Sequence, residues 1–470
     1  MRELHIEKVK NEIAKTEQNK RGSNITDVLP FASSRRIQKI KKDFPLVLGE
    51  YVRRICNLEI NRNELRKIEK YHSEDSNELS EYIAENVEYK PLDIQHDFVD
   101  FLNNTLFSGE NIKVSHPYLY NFIVVPSKDK AEFNKVSNFL FDVFTIKNEN
   151  INEIFVSKES NNILMKLLLN NLDLLKESNK KQNITYTPFF KKISKLYIED
   201  LLYLSNHRNY FLDNFALLTN FYAFMYSCQL IMKFDEFTKA NYEKVDPLYF
   251  CLSWEKMGMR RKAAGEFRTY KYINNKKGNL FPHIHTMSHL SHNSYNKCSL
   301  EKGSKIEILS YTKIINLVND GVIDREQFLN DIQEWTKEYC RIFNIEDCSP
   351  PDELESAIVY LFKCIKMKMS KDVRMRYGDN LNDLGGYHFI KQRGPLGSLF
   401  NIHQDFLLLL ISVSVKDNRL PISDLFIEFE KRGIQLDNHS KTEVVMLLNK
   451  LNLIDKKSDS GDAQYVKSIL

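Results

Sequence analysis

The sequence contains no Gly-x-x-x-x-Gly-Lys-Ser/Thr string, and so lacks the backbone cradle that closes around the phosphates of a nucleoside triphosphate. Glycine is scarce, at 15 residues in 470. Gly258 and Gly265 stand alone, and the one dense run, Gly378 to Gly397, never reaches a Gly-Lys-Ser/Thr ending, so intrinsic triphosphate hydrolysis is not expected. The seven cysteines include no Cys-x-x-Cys pair, which argues against a zinc ribbon or a disulfide framework and leaves scattered reduced thiols, as in the cytoplasm. A large excess of either charge is missing too. With 67 Lys+Arg against 63 Asp+Glu the net charge is +4, so any nucleic-acid contact has to come from local patches. Met1 to Lys20 lacks the continuous apolar core of a signal peptide, so export by that route is not expected. Between Asp213 and Lys233 there is no charge, and Phe215 to Met232 approaches the length of a membrane span. Asn220, Ser227 and Gln229 would be costly facing lipid, and a helix apolar all round suits the centre of a helical domain, so a buried core helix is expected and no membrane partner.

What is present reads as folded. Hydrophobic residues at 42% and charged residues at 28% are a globular balance, and the length predicts two to four domains. Apolar residues recur at helical spacing at Phe98, Phe101, Leu102 and Leu106, then at Phe133, Val136, Phe139, Leu140 and Phe144, then at Ile163, Leu164, Leu167 and Leu168. Only Ile112 to Pro126 looks partly extended. The basic residues Arg35, Arg36, Lys39, Lys41 and Lys42 interleave with Ile37, Ile40 and Phe44, which predicts the wet face of an amphipathic helix or a phosphate contact. The expected class is mainly α, a multi-helical body with a C-terminal winged-helix domain. The expected blocks are an N-terminal helical region (1–95), a main helical domain (96–377), a glycine-rich connecting loop (378–400) and the winged helix (401–470).

Two constellations carry candidate chemistry. The densest set of metal-ligand side chains is His283, His285, His289, His292 and Cys298. His285 and His289 share a helix face, but no Glu follows His285 as a zinc protease requires, so no metal site is expected, with His283, His285 and His289 as the candidates for one. From Asp246 to Asn279, Trp254, Lys256, Arg260, Arg261, Lys262, Arg268 and Lys271 interleave aromatic and cationic groups. That pattern stacks on bases and contacts phosphates, or packs on a core with its charges in water. Ser349-Pro-Pro-Asp-Glu-Leu-Glu predicts a helix start capped by Ser349, not a nuclease site. No catalytic residue and no cofactor is assigned.

Gly378, Gly385, Gly386, Gly394 and Gly397 cluster in the last quarter and predict a joint or binding loop, with Lys391 and Arg393 as its charged groups. Gly385, Gly386, Gly394 and Gly397 are its functional glycines. Three helical patterns follow, at Asp405–Val413, Ile422–Lys431 and Lys441–Asn452, with Pro421 opening the second, Gly433 ending it and Ser440 capping the third. Leu453 to Val466 then reads as strand, turn and strand. Residues 401–470 hold 9 Lys+Arg against 10 Asp+Glu, a poor balance for a DNA reader. Lys441 and Lys450 on the third helix and Asp459 and Asp462 at the hairpin tip therefore predict docking to a protein.

Gly-Gly-Tyr-His-Phe-Ile-Lys-Gln-Arg-Gly-Pro-Leu-Gly (385–397) and Lys-Ser-Asp-Ser-Gly-Asp-Ala-Gln-Tyr-Val (457–466) resemble the C-terminal region of the DptG (DndG) family of bacterial DNA phosphorothioation-dependent restriction systems, with Leu29-Pro-Phe near the N-terminus adding to the likeness. The resemblance implies an accessory subunit of an antiviral-defence complex acting on unmodified DNA. Its partners would be subunits with ATPase or translocase activity, and duplex DNA would be a second contact. The alternatives are a metal-dependent nuclease using His283, His285 and His289, or a winged-helix transcriptional regulator.

Overall fold

The computed structural model of the chain describes residues 2–19, 28–34, 36–65, 77–88, 94–108, 111–145, 149–179, 183–256, 268–296, 306–456 and 464–470. The protein is mainly helical, as the periodicity predicts. It divides into two compact units, one of 43–184 with 198–218 and one of 1–42, 185–197 and 219–470. The boundaries expected at 95, 377 and 400 fall inside these units rather than between them.

In the smaller unit, the helix Ile40–Cys56 breaks at Asp43 (φ −108°, ψ 25°), two residues before Pro45. Proline supplies no N–H and crowds the preceding turn, which accounts for the break. Beyond it, Val47, Leu48, Tyr51 and Val52 are buried. The helix Lys130–Leu140 buries Phe133, Val136, Phe139 and Leu140, and Phe144 is buried in the π-helical turn Phe141–Thr145 that follows. The segment expected to be extended is instead a two-residue strand, Asn111–Ile112, followed by a 3-10 turn over Pro117–Phe122. His116 Nδ1 caps that turn by accepting the Tyr118 N–H at 3.2 Å. Strand Leu58–Ile60 pairs antiparallel with Leu175–Glu177. Tyr120, Phe155, Phe211 and Phe215 form an aromatic cluster with ring centroids 5.0 to 6.1 Å apart. In the helix Ile163–Asn170 the periodic reading holds only for Leu168, since Ile163, Leu164 and Leu167 are exposed.

The helix Arg208–Asp235 contributes its residues through Leu218 to this unit and the rest to the larger one. It is long and apolar enough to cross a membrane, but 89% of its apolar window is buried inside the protein, as expected of a core helix. In the larger unit its polar residues Asn220, Ser227, Gln229 and Lys233 each make at least one hydrogen bond or ion pair, although Asn220 Oδ1 finds no partner among the described residues. Asn220 donates to the Leu384 carbonyl at 2.8 Å, Gln229 exchanges hydrogen bonds with the Asp246 backbone, and Lys233 pairs with Asp246 at 2.7 Å.

The larger unit also contains a four-stranded mixed sheet that the sequence reading does not anticipate, in the order Ile390–Gln392, Ser398–Ile402, Leu248–Leu252, Ile434–Gln435. The first pair is antiparallel and the other two are parallel. Every residue of Leu248–Leu252 is buried, because it is a central strand with neighbours on both edges. The C-terminal stretch runs as helix Gln404–Val415, strand Leu420–Pro421, helix Ile422–Lys431, helix Asn438–Lys450 and strands Ile454–Lys456 and Gln464–Val466. The last strand lies between the other two in an antiparallel sheet. Gly433, at φ +84°, turns the chain out of the second helix into Ile434–Gln435, so this stretch shares a strand with the mixed sheet. The third helix is capped by Asp437, which accepts the Ser440 N–H at 2.8 Å. Ser440, expected as the cap, instead donates to buried Glu255 at 2.9 Å. The helix expected at Ser349 starts later, at Leu354. Of the thiols expected to be scattered, Cys340 and Cys364 meet with their sulfurs 3.7 Å apart.

Candidate functional site

The histidines lie on the helix Leu280–Ser291 and its C-terminal flank, but the structure does not bring them to one point. His283 stacks on Phe362 with centroids 4.1 Å apart and its Nδ1 is 3.1 Å from the Tyr311 hydroxyl. Two residues on, His285 projects elsewhere, edge-on to Phe281 at 4.5 Å, and His289 lies between His285 and Trp335. Among the described residues, no group of three metal-ligating side chains forms. Cys298 lies outside the described residues.

Burial holds these imidazoles neutral. It pushes His285 down to about 4, and His283 and His289 well below the ordinary value. Nearby Lys366 and Lys276 add to the effect at His283, and His285 and His292 add to it at His289. Below the ordinary value of 6.5 the unfolded chain takes up protons that the folded chain refuses, so stability is lost as the pH falls. Each fully buried histidine should contribute a slope of about 1.4 kcal/mol per pH unit there. Urea midpoints measured from pH 7 to pH 5 should show His289→Gln less acid-sensitive than wild type by about that slope, and equal slopes would contradict the assignment.

The basic aromatic segment and the glycine run, far apart in sequence, meet in the larger unit. Lys391 Nζ donates to the Ser253 carbonyl at 3.3 Å, and the Arg393 guanidinium donates to the Leu252 carbonyl at 2.5 Å and to Asn401 at 3.2 Å. Both thus reach the end of the buried central strand, where Trp254 and Lys256 emerge exposed. Lys391 is itself exposed, whereas Arg393 is partly buried and serves as a brace. Arg268 is engaged elsewhere, bridging Asp246 at 2.8 Å and Glu236 at 3.1 Å with its guanidinium over Tyr272. Arg260, Arg261 and Lys262 lie outside the described residues.

The glycine run is not one loop. Gly378 and Gly385 belong to the helix Lys371–Gly385, and Gly386 is its C-cap. A Cβ on Gly378 would lie 2.6 Å from the Lys277 carbonyl oxygen, and one on Gly385 would lie 2.1 Å from the Phe224 ring. These glycines permit close packing. Only Gly394 and Gly397, at φ +55° and +73° with open space beside them, are turn glycines.

Compared with known proteins, the chain matches no family model and no curated protein.

On the third C-terminal helix, Thr442, Met446, Asn449 and Lys450 are exposed along one face, with Met446 at 52%. Lys441 lies over the Phe426 ring at 5.2 Å. Ile427, on the preceding helix, is also 52% exposed. The sequence reading named Lys441 and Lys450 but missed these apolar residues, whose signal was their place on the polar side of each helical pattern. Asp459 and Asp462 lie outside the described residues.

Proposed function

We propose that this chain is a non-catalytic accessory subunit of a bacterial phosphorothioation-dependent restriction complex acting on unmodified DNA in the cytoplasm. In this reading it docks partner subunits through a C-terminal winged helix and adds a DNA contact of its own. The observation that carries the reading is the hydrogen bond from Lys391 to the Ser253 carbonyl, next in the chain to exposed Trp254, because it brings the run most like the DptG family to the segment whose aromatic and cationic residues suit DNA. The order helix, strand, helix, helix, hairpin, with the last strand central in its sheet, supports the winged-helix reading. The half-exposed Met446 and the near-neutral charge of 401–470 support protein docking by that module. Exposed methionine adapts to protein surfaces, whereas a DNA reader offers basic or amide side chains.

The DNA contact is tested by binding purified chain to short duplexes, with and without phosphorothioate, over a salt series. Trp254→Ala/Lys256→Ala/Lys391→Ala should weaken binding and lower the salt slope by roughly 2, one for each lost phosphate contact. An unchanged slope would remove this surface. Docking is tested by co-purification of the neighbouring restriction subunits. Met446→Asp should reduce capture by about tenfold or more while leaving the fold intact, and undiminished capture would move the interface elsewhere.

A further inference from the structure

The smaller unit contains an open cleft of about 590 Å³ lined mostly by charged and amide side chains. Its walls are built regularly. Glu50, Arg53, Arg54 and Asn57 follow one another at helical spacing along and just beyond Ile40–Cys56, and Lys130, Asn134 and Asn138 recur every fourth residue on Lys130–Leu140, so each set lines one face. The paired strands and the turn after them add Glu59, Arg62 and Lys176. Five cations thus face two carboxylates.

The cations differ in how they are held. Arg53, only 6% exposed, donates to the Asn121 and Ile123 carbonyls at 2.6 and 2.8 Å and pairs with Glu50 at 3.0 Å. Arg54 is fixed by Asn138, Asp142 and the Asn183 carbonyl at 3.0 to 3.2 Å. Lys176 pairs with Glu59 at 3.2 Å. Among the described residues, Arg62 and Lys130 have no carboxylate partner, and the field of Arg62 acts with burial, the larger cause, to lower the Arg53 pKa. Among the described residues, Asn134 Oδ1 is buried without a hydrogen-bond partner, so this amide can turn its NH₂ inward.

We propose that this cleft binds a phosphate ester, with Arg62 and Lys130 as the two charged contacts to the phosphate and Arg53 and Arg54, held by Glu50 and Asp142, as a rigid back wall. Guanidinium and ammonium groups left uncompensated beside amides are the recognition set for phosphate oxygens, and the volume suits a ligand of nucleotide size. The ester could belong to a free nucleotide or to a nucleic-acid strand, and the chemistry recognised is the same. The inference does not rest on the restriction-complex reading, because the cleft belongs to the other unit from Trp254 and Lys391.

The test titrates the full chain with inorganic pyrophosphate, with a nucleoside triphosphate and with a short single-stranded oligonucleotide at low salt. Arg62→Glu/Lys130→Glu is compared with wild type and with Lys431→Glu, an exposed change in the larger unit. Wild type should bind at least one probe and the double variant should bind it about tenfold or more weakly at an unchanged melting temperature, with Lys431→Glu unaffected. Saturable binding of pyrophosphate or triphosphate identifies a nucleotide-type ligand, and binding of the oligonucleotide alone identifies a strand. Failure of all three probes, or equal loss in both variants, overturns the proposal. Trp254→Ala/Lys256→Ala/Lys391→Ala should keep cleft binding, which separates failure here from failure of the DNA surface.

Discussion

Replacing Arg53 with Met is expected to cost about 3–5 kcal/mol of stability in the smaller unit, the usual consequence of removing one partner from a buried charged network. The guanidinium is the donor for the Asn121 and Ile123 carbonyls at the end of the 3-10 turn, and Met offers those oxygens nothing. Glu50 also loses its partner. Lys is not an equivalent replacement, because one guanidinium nitrogen serves both carbonyls while the other pairs with Glu50, a span that a single ammonium does not cover. Gly49, four residues earlier on the same helix, belongs to the same seat, since a Cβ there would lie 2.4 Å from the Ile123 oxygen. Gly49→Ala should therefore destabilise the same turn through contact rather than charge. Amide hydrogen exchange over 117–125 reads both changes locally, and protection equal to wild type in Arg53→Met would contradict this account.

Gly385→Ala and Gly378→Ala should each destabilise the larger unit by about 2–4 kcal/mol, against the rule that Gly to Ala in a helix stabilises by roughly 0.5–1 kcal/mol. The sign reverses because the space is taken. At Gly378 the obstacle is the Lys277 backbone, which cannot rotate away, and at Gly385 it is the Phe224 ring, itself packed between Phe389 and Phe400. Gly394→Ala and Gly397→Ala meet no neighbour and should cost only backbone strain, about 1–2 kcal/mol at 394 and up to about 3 kcal/mol at 397, whose ψ of −154° puts it in a region used almost only by glycine. Thermal unfolding of the four variants should rank 385 and 378 as the more damaging pair. The opposite ranking would restore the view of the run as a single loop.

How much of this was legible depends on the distance over which each feature is set. The helices at Phe98 and Phe133 follow from apolar residues three and four apart, the one at Phe215 from an uncharged run, and the three C-terminal helices and closing strands from helical spacing, caps and a turn, all features local in sequence. The mixed sheet was not legible. Its strands are two to five residues long, and Leu248–Leu252 finds its partners at Ser398–Ile402 and Ile434–Gln435, so no local period marks it. The glycine run misled because scarcity makes clustered glycines look like a loop, whereas two of them answer to Lys277 and Phe224, residues no local pattern connects to them. The cleft was missed because Arg53, Arg62, Lys130 and Lys176 each look like part of a solvated face until the chain brings them together.

The claim that this chain is a non-catalytic subunit of a restriction assembly is tested most directly by plasmid restriction. Cells carrying the partner subunits are transformed with unmodified and phosphorothioate-modified plasmid, with and without this chain, and the purified chain alone is incubated with both DNAs. The account predicts that restriction of unmodified plasmid requires the chain, that modified plasmid is spared, and that the chain alone leaves both DNAs intact. Restriction that persists without the chain, or cleavage by the chain alone, would contradict it.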